Sequence, residues 1–404
     1  MVATTVIETP DAPARRVLSA NPWSGGPSLP QDWINDQRGE GGVQYSRFHP
    51  LTGDAGGGTW VALGASEIRA VLIDSKTFIS RGSTGVGQLL GEDIVLAPLE
   101  SDAPDHQRLR GILQPLFQPV AVTRYRDRIR QLSEDLIARI EPRERCNFVE
   151  EFAVKLPTQI FLELFGLPVS DLPQFLEWEE IVMGRKTPER AAETWLAIRS
   201  YLERAIAARR AEPADDMLSH IVTKTTEQGV NPDAEAVGMA MILFVAGLDT
   251  VVTALGWIFR HLAANPADQA RLRGDPAQIP AAVEELLRAY SFTTIMRTAA
   301  TDVQIGGVTI RAGEAVACPT SIGSRDAVDY DDPARVDLDR GARRHLAFGF
   351  GQHICLGMHL ARLELVTALE CWLAAVPPFC LPQGYTPSSH AGISFGLDDL
   401  QLEW

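Results

Sequence analysis

The chain has 404 residues, 45% of them hydrophobic and 22% charged, with a formal net charge of −15. This is ordinary globular composition, and the acidic balance argues against a nucleic-acid partner, which would want a basic face. Residues 1–20 lack a basic cluster followed by an apolar run, so no secretory signal is expected, and the expectation is a cytoplasmic protein. The five cysteines (Cys146, Cys318, Cys355, Cys371 and Cys380) are an odd number with no C-x-x-C pair, which predicts reduced, buried thiols rather than zinc ligands or disulfides.

Residues 1–55 are rich in proline, glycine and polar residues and read as loops with short helices. Trp60–Leu63 reads as a strand and Glu67–Ile73 as a helix. Helical periodicity dominates from Asp105 to Arg273, with interruptions near Pro119, Pro142, Pro168 and Pro213. Within it, Val237–Phe259 approaches membrane-spanning length but carries Asp249, two threonines and three glycines, which predicts a buried core helix and no membrane span. Strands are expected over Val303–Ile310, with Gly306-Gly307 as the turn, and over Ala315–Cys318. A Pro/Asp-rich loop, Asp326–Arg344, leads to a glycine-rich stretch, Phe348–Gly357, and then to a helix from Met358 to Trp372. The pattern is mainly α with a small β region, in one unit spanning 1–404.

Four groups of residues carry chemistry. The first is F-G-x-G-x-H-x-C-x-G, residues 348–357, which sets Cys355 in a loop whose glycines let backbone pass close to a flat ligand. A thiolate there is a metal ligand. Phe348 and Gly349 lie in the same stretch, and His353 is placed to donate to an anionic group. The second is Ala246-Gly247-Leu248-Asp249-Thr250 in the apolar helix. Ala246 and Thr250 share a face, Gly247 leaves room on it, and the Thr250 hydroxyl is able to bond an upstream carbonyl. The third pairs Glu285 with Arg288 at i,i+3 and adds Arg335 from Pro333–Asp337. The fourth is cationic: His106 and Arg110, four apart on one helix face, and Arg297.

The order and separation of these motifs resemble those of the cytochromes P450, most closely the bacterial camphor-hydroxylase family. The carrying residues are Ala246–Val252, Ile279–Ala282 with Glu284–Arg288, and Leu356–Arg362. The resemblance implies the P450 fold and haem b, with Cys355 as the iron ligand. It places His106, Arg110, Arg297 and His353 on the haem propionates, and Phe348, Gly349, Ala246 and Gly247 against the cofactor. It implies that Asp249 relays protons, that Thr250 holds activated oxygen, and that Glu285, Arg288 and Arg335 form a buried structural triad. It further implies O2 as co-substrate, electrons from a [2Fe–2S] ferredoxin with an NADH-dependent reductase, and insertion of one oxygen atom into a C–H bond.

By family position the substrate pocket is lined by Ile94, Val245, Thr293, Ile393 and Ser394, with Val86 and Leu89 on a lid over Ser80–Val95. The chain departs from the camphor enzymes where Ile94 replaces a ketone-binding tyrosine and Ile295 an aspartate, and where a phenylalanine is lost within Gly85-Val86-Gly87. The expected substrate is therefore a small apolar molecule other than camphor, a terpenoid or norisoprenoid, with an ionone-like ketone as the guess. Its polar group would meet Thr293, Ser394 or water. Arg108, Arg110, Arg343 and Arg344 are expected to form a basic patch for an acidic ferredoxin. A peroxygenase using H2O2 and a non-catalytic haem sensor stay open as alternatives, and the Asp249-Thr250 pair favours the monooxygenase over both.

Overall fold

Pairing with distant strands decides the secondary structure of the N-terminal third, where local sequence signals are weak. The computed structural model describes residues 5–7, 15–18, 21–23, 29–36, 42–50, 57–183, 190–341 and 344–404. The chain forms two compact units, each assembled from separate stretches: 1–84 with 284–355 and 389–396, and 85–283 with 356–388 and 397–404.

The first unit is built on a seven-stranded mixed sheet. In spatial order its strands are Thr5–Ile7, Arg15–Val17, Val43–Ser46, Thr59–Ala62, Ala315–Pro319, Thr294–Ala299 and Phe78–Ile79. Thr59–Ala62 is buried throughout and pairs in parallel with Ala315–Pro319, with Val316 opposite Trp60. Thr294–Ala299 pairs antiparallel on the other side, so Val316 also faces Arg297. The Trp60 indole donates to Glu314 at 2.7 Å and meets the Tyr45 ring edge-on at 5.3 Å. The expectation of loops with short helices over residues 1–55 is corrected here. Among the described residues of that region three strands lie beside one helix, Pro30–Asp36, and Val43 and Tyr45 pair with Ala62 and Trp60 on a half-buried pleated surface, which suits β-branched and aromatic side chains. Gly306 and Gly307, with φ of 58° and 79°, close the expected hairpin between Val303–Ile305 and Val308–Ile310. The helix Ala65–Ile73 begins two residues before Glu67, since Asp326 accepts the Ala65 N–H at 2.8 Å.

The second unit is helical and organised around Pro232–Ala264. By length and composition this helix is able to cross a membrane, yet most of its apolar window is buried within the protein. Two aromatic clusters grip it. Phe259 stacks on Phe148 at 4.0 Å, with Trp372 edge-on to both. Two-thirds of the way back, Phe244 meets Phe161 at 6.1 Å and Phe175 at 5.4 Å. Such pairs add about 0.5–1.5 kcal/mol each beyond simple burial. The Ala246–Thr250 segment therefore sits between two rigid anchors. Pro119 opens a short helix, Pro119–Thr123, rather than ending one, in line with proline's tolerance for a first helical turn. The strand pair Arg145–Asn147 with Gln401–Glu403 was not legible in the sequence, each strand being only three residues long.

None of the five cysteines is in a disulfide. Burial pushes the thiols of Cys146 and Cys318 up to about 12 and that of Cys371 to about 11, so all three stay protonated. Cys380 is exposed, which corrects its expected burial, and Cys355 is half-buried.

Candidate functional site

In the first unit the loop before Cys355 is tied at several points. The Tyr330 hydroxyl donates to the Arg344 carbonyl at 3.1 Å, the Leu346 N–H donates to Ser324 Oγ at 3.0 Å, and the Cys355 N–H donates to the Phe348 carbonyl at 2.8 Å. Gly351 has φ of +74°, and a Cβ there would lie 2.5 Å from the Leu72 carbonyl oxygen, so only glycine fits. Gly349 is buried at the same φ, with Ile295 Cδ1 3.2 Å from its would-be Cβ. His353 is held through Nε2 by the buried Ser80 hydroxyl at 3.2 Å, a partner that sequence reasoning did not find. Phe348 is half-buried, and Arg297 is buried on its strand.

Glu285 is the centre of a buried ionic network. Arg288 reaches it twice, from Nε at 2.7 Å and Nη2 at 2.8 Å, and also donates to the carbonyls of Ser324, Pro333 and Arg335. The third member is Arg340, whose Nε lies 3.1 Å from Glu285 Oε1. This corrects the assignment of Arg335. Its side chain is 63% exposed and pairs with Asp337, and only its carbonyl enters the network. The loop doubles back after Arg335, so the arginine five residues later faces the carboxylate.

Three residues expected at the substrate also meet in this unit. Thr293 and Ser394 form an isolated antiparallel bridge, flanked by Thr294 N–H to Ile393 O at 2.7 Å and Phe395 N–H to Phe292 O at 3.0 Å. That pattern makes Thr293 and Ser394 a non-hydrogen-bonded pair with both side chains on one face. The Ser394 hydroxyl is buried without a hydrogen-bond partner among the described residues.

In the second unit the long helix opens at one point. Ala246 and Gly247 are exposed and Val245 and Thr250 half-exposed, whereas Leu248 and Asp249 are buried. The Thr250 hydroxyl donates to the Ala246 carbonyl at 2.7 Å, as expected. A Cβ on Gly247 would meet only Phe161, at 3.5 Å. His106 is buried and Arg110 half-buried on one face of the helix Asp105–Leu113. That helix is fixed by His220, whose Nε2 bonds the Ile112 carbonyl at 2.9 Å, and by Arg108, which pairs with Glu235 at 2.8 Å and Asp105 at 3.2 Å. Arg108 is therefore neutralised by two carboxylates and leaves the expected basic patch. Arg344 is exposed, and Arg343 lies outside the described residues.

Val86, Leu89 and Ile94, expected at the lid and pocket, belong to this unit too. Val86 is buried and Leu89 is 49% exposed on a short helix, Val86–Leu90, bounded by Gly85 and Gly91 in left-handed conformation. Glu92 just beyond is ion-paired with Arg199, and Ile94 is half-buried. The segment expected to form the lid meets the long helix at Gly238, where a Cβ would fall 2.3 Å from the Val95 carbonyl. Sequence reasoning missed Gly238, which lies nine residues before Gly247 and so on the opposite face of the helix. Glu364, on the helix Met358–Ala375, is only 3% exposed, and its Oε2 has no partner among the described residues. Burial raises its carboxyl to about 8.

A family profile described as cytochrome P450 matches residues 161–376. Probable cytochrome P450 127A1 of Sinorhizobium fredii is 36% identical over 88% of this chain and 86% of its own length. Pentalenic acid synthase of Streptomyces avermitilis is 31% identical over 86% of this chain and 89% of its own. The crystal structure of CYP101J2 matches with a TM-score of 0.87 at 29% identity, covering 98% of this chain and all of that one. The half-exposed thiol in its glycine loop and the opened Ala246–Thr250 turn are thus features of a known architecture, and the chain belongs to the cytochrome P450 family, haem-b monooxygenases.

Proposed function

We propose that this P450 hydroxylates a small apolar terpenoid or norisoprenoid, an ionone-like ketone being the favoured chemistry, with O2 and electrons from a [2Fe–2S] ferredoxin and its NADH-dependent reductase. The observation that carries the reading is the opening at Ala246-Gly247 in an otherwise buried helix, one residue from a buried acid and on the same face as a hydroxyl.

The residues suit haem b. Cys355 is half-exposed while three other thiols are buried and held neutral, so it is the one in the glycine loop available as a thiolate ligand. Bound there, haem supplies oxygen activation, which a thiolate ligand promotes by pushing electron density to iron. His106, Arg110, Arg297 and His353 would hold its propionates, since buried carboxylates need cationic or hydrogen-bonding partners. Phe348, Gly349, Ala246 and Gly247 are the residues that would lie against it. Asp249 would relay protons, and Thr250 would pass them on by releasing its bond to the Ala246 carbonyl. Ile94, Val86, Val245 and Ile393 would exclude water around the substrate, with Leu89 at the solvent edge, and Thr293 with Ser394 would offer its ketone a donor. Arg344, which is exposed, would be what remains of the basic face expected for an acidic ferredoxin. The relative named pentalenic acid synthase supports a terpenoid-sized substrate. The whole chain acts as one P450 domain in the cytoplasm.

The test is to titrate haem-loaded protein with terpenoids and norisoprenoids, follow the low-to-high-spin shift of the Soret band, and assay the responders with ferredoxin, reductase and NADH. A spin shift followed by hydroxylated product is expected for an ionone-like ketone. No shift with any member of these classes refutes the substrate, and a Cys355→His variant that keeps the reduced-CO Soret band of a thiolate-ligated haem refutes the ligand.

A further inference from the structure

Two successive glutamates leave the helix Ile279–Ala289 toward the cysteine loop. Glu285 serves the arginine network. Glu284 has a different partner, His345, at the start of that loop. His345 Nε2 lies 3.3 Å from Glu284 Oε2, and its Nδ1 accepts the Ala347 N–H at 3.2 Å. Because Nδ1 is an acceptor, the ring proton sits on Nε2 and is donated to the carboxylate. The imidazole is 4% exposed and lies 5.9 Å from the Phe348 ring. Bonded on both nitrogens and packed against its neighbour, it has no freedom to rotate.

From there a continuous run of bonds leads to Cys355. The Leu346 N–H is fixed by Ser324, the Leu346 carbonyl accepts the Gly349 N–H at 2.8 Å, and the Phe348 carbonyl accepts the Cys355 N–H at 2.8 Å. Phe348 therefore sets where Cys355 stands, and His345 holds the two residues before it. A group that orients a ligand through hydrogen bonds to its loop alters the ligand's bond as well as the loop's order.

We propose that the Glu284–His345 pair is a positioning device for the Cys355 thiolate, acting through Ala347 and Phe348 on the strength of the sulfur–iron bond. This rests on the reading of Cys355 as the haem ligand. Neither residue touches the reacting atoms. The pair determines how firmly the sulfur is held.

The experiment compares haem-loaded Glu284→Ala, Glu284→Gln and His345→Phe with the parent. The readouts are the iron–sulfur stretching frequency by resonance Raman and the lifetime of the thiolate-type reduced-CO Soret band under mild heating. Glu284→Ala and His345→Phe are expected to lower the frequency and shorten that lifetime about fivefold, the effect of one ordinary net hydrogen bond. Glu284→Gln keeps an acceptor for Nε2–H and is expected to match the parent. The urea-unfolding midpoint of the haem-loaded Glu284→Gln chain should match the parent, and that of Glu284→Ala should fall by no more than the same single bond, since water reaches the partly exposed carboxylate site. Parent-like values for Glu284→Ala, or equal impairment in Glu284→Gln, overturn the proposal, as does a shortened lifetime with an unaltered iron–sulfur frequency. Should His345→Phe fail to load haem, the two Glu284 variants decide. A parent without the thiolate band refutes the reading of Cys355 itself, and this inference with it.

Discussion

Replacing Arg340 by alanine, beside the same change at Arg335, separates what the loop's spacing suggests from what its geometry does. Glu285 is 5% exposed and receives four donors: two from Arg288, the Arg340 Nε, and the Asp337 N–H at 2.9 Å. Arg340 is itself 8% exposed and also donates to the carbonyls of Asp331, Asp332 and Arg335. Breaking a buried ion pair costs about 3–5 kcal/mol when the remaining charge has no partner. Here Arg288 and the Asp337 amide remain, and the three carbonyls lie near solvent and can bond water. The cost of Arg340→Ala should therefore fall to about 2–3 kcal/mol, still a large share of the roughly 5–15 kcal/mol that holds a typical protein folded. Arg335→Ala removes an exposed pair with Asp337 and should cause no measurable loss. Urea unfolding of the haem-loaded protein, with the slope held common, gives both values, and the haem-to-protein ratio reports the loop. Equal losses, or a larger loss for Arg335→Ala, would refute the geometry.

Other outcomes follow from the same structure. Thr250→Ala should keep NADH consumption but send electrons to hydrogen peroxide, lowering product per NADH about tenfold or more, and unchanged coupling would remove Thr250 from proton delivery. Glu364, raised from an ordinary 4.5 to about 8, binds more protons folded than unfolded, so stability should fall as pH rises from 4.5 to 8. Glu364→Gln should flatten that profile, by at most about 5 kcal/mol at the alkaline end, and an unaltered slope in pH-dependent unfolding would count against the buried neutral acid. Gly351→Ala combines a left-handed backbone cost of about 1–2 kcal/mol with a contact on the Leu72 carbonyl, and should lower the haem-to-protein ratio of the purified chain.

Several residues could be read before any coordinates because their chemistry admits few substitutes. The glycines around Cys355 are one case: positive φ and close backbone approach exclude side chains, so their pattern is visible in the letters alone. The Thr250 bond to the Ala246 carbonyl is another, since it joins residues four apart on one helix and needs no tertiary information. The Gly306-Gly307 hairpin is likewise local.

What the letters left open are choices among equivalent side chains made by chain reversals. Arg335 and Arg340 are both arginines at plausible spacing, and only the turn between them brings one to Glu285. Arg108 looked like a free surface charge until folding set Glu235 beside it. The strands of residues 1–55, the seat of Val95 on Gly238 and the Glu284–His345 pair join positions far apart in the chain. Thus the residue types and local spacings alone determined the cysteine loop, the opened helix turn and the family they imply, because thiols, glycines and helical neighbours act over a few residues. Tertiary structure alone decided which charges are paired and what holds the cysteine loop, because those partnerships depend on distances in space that sequence separation does not encode.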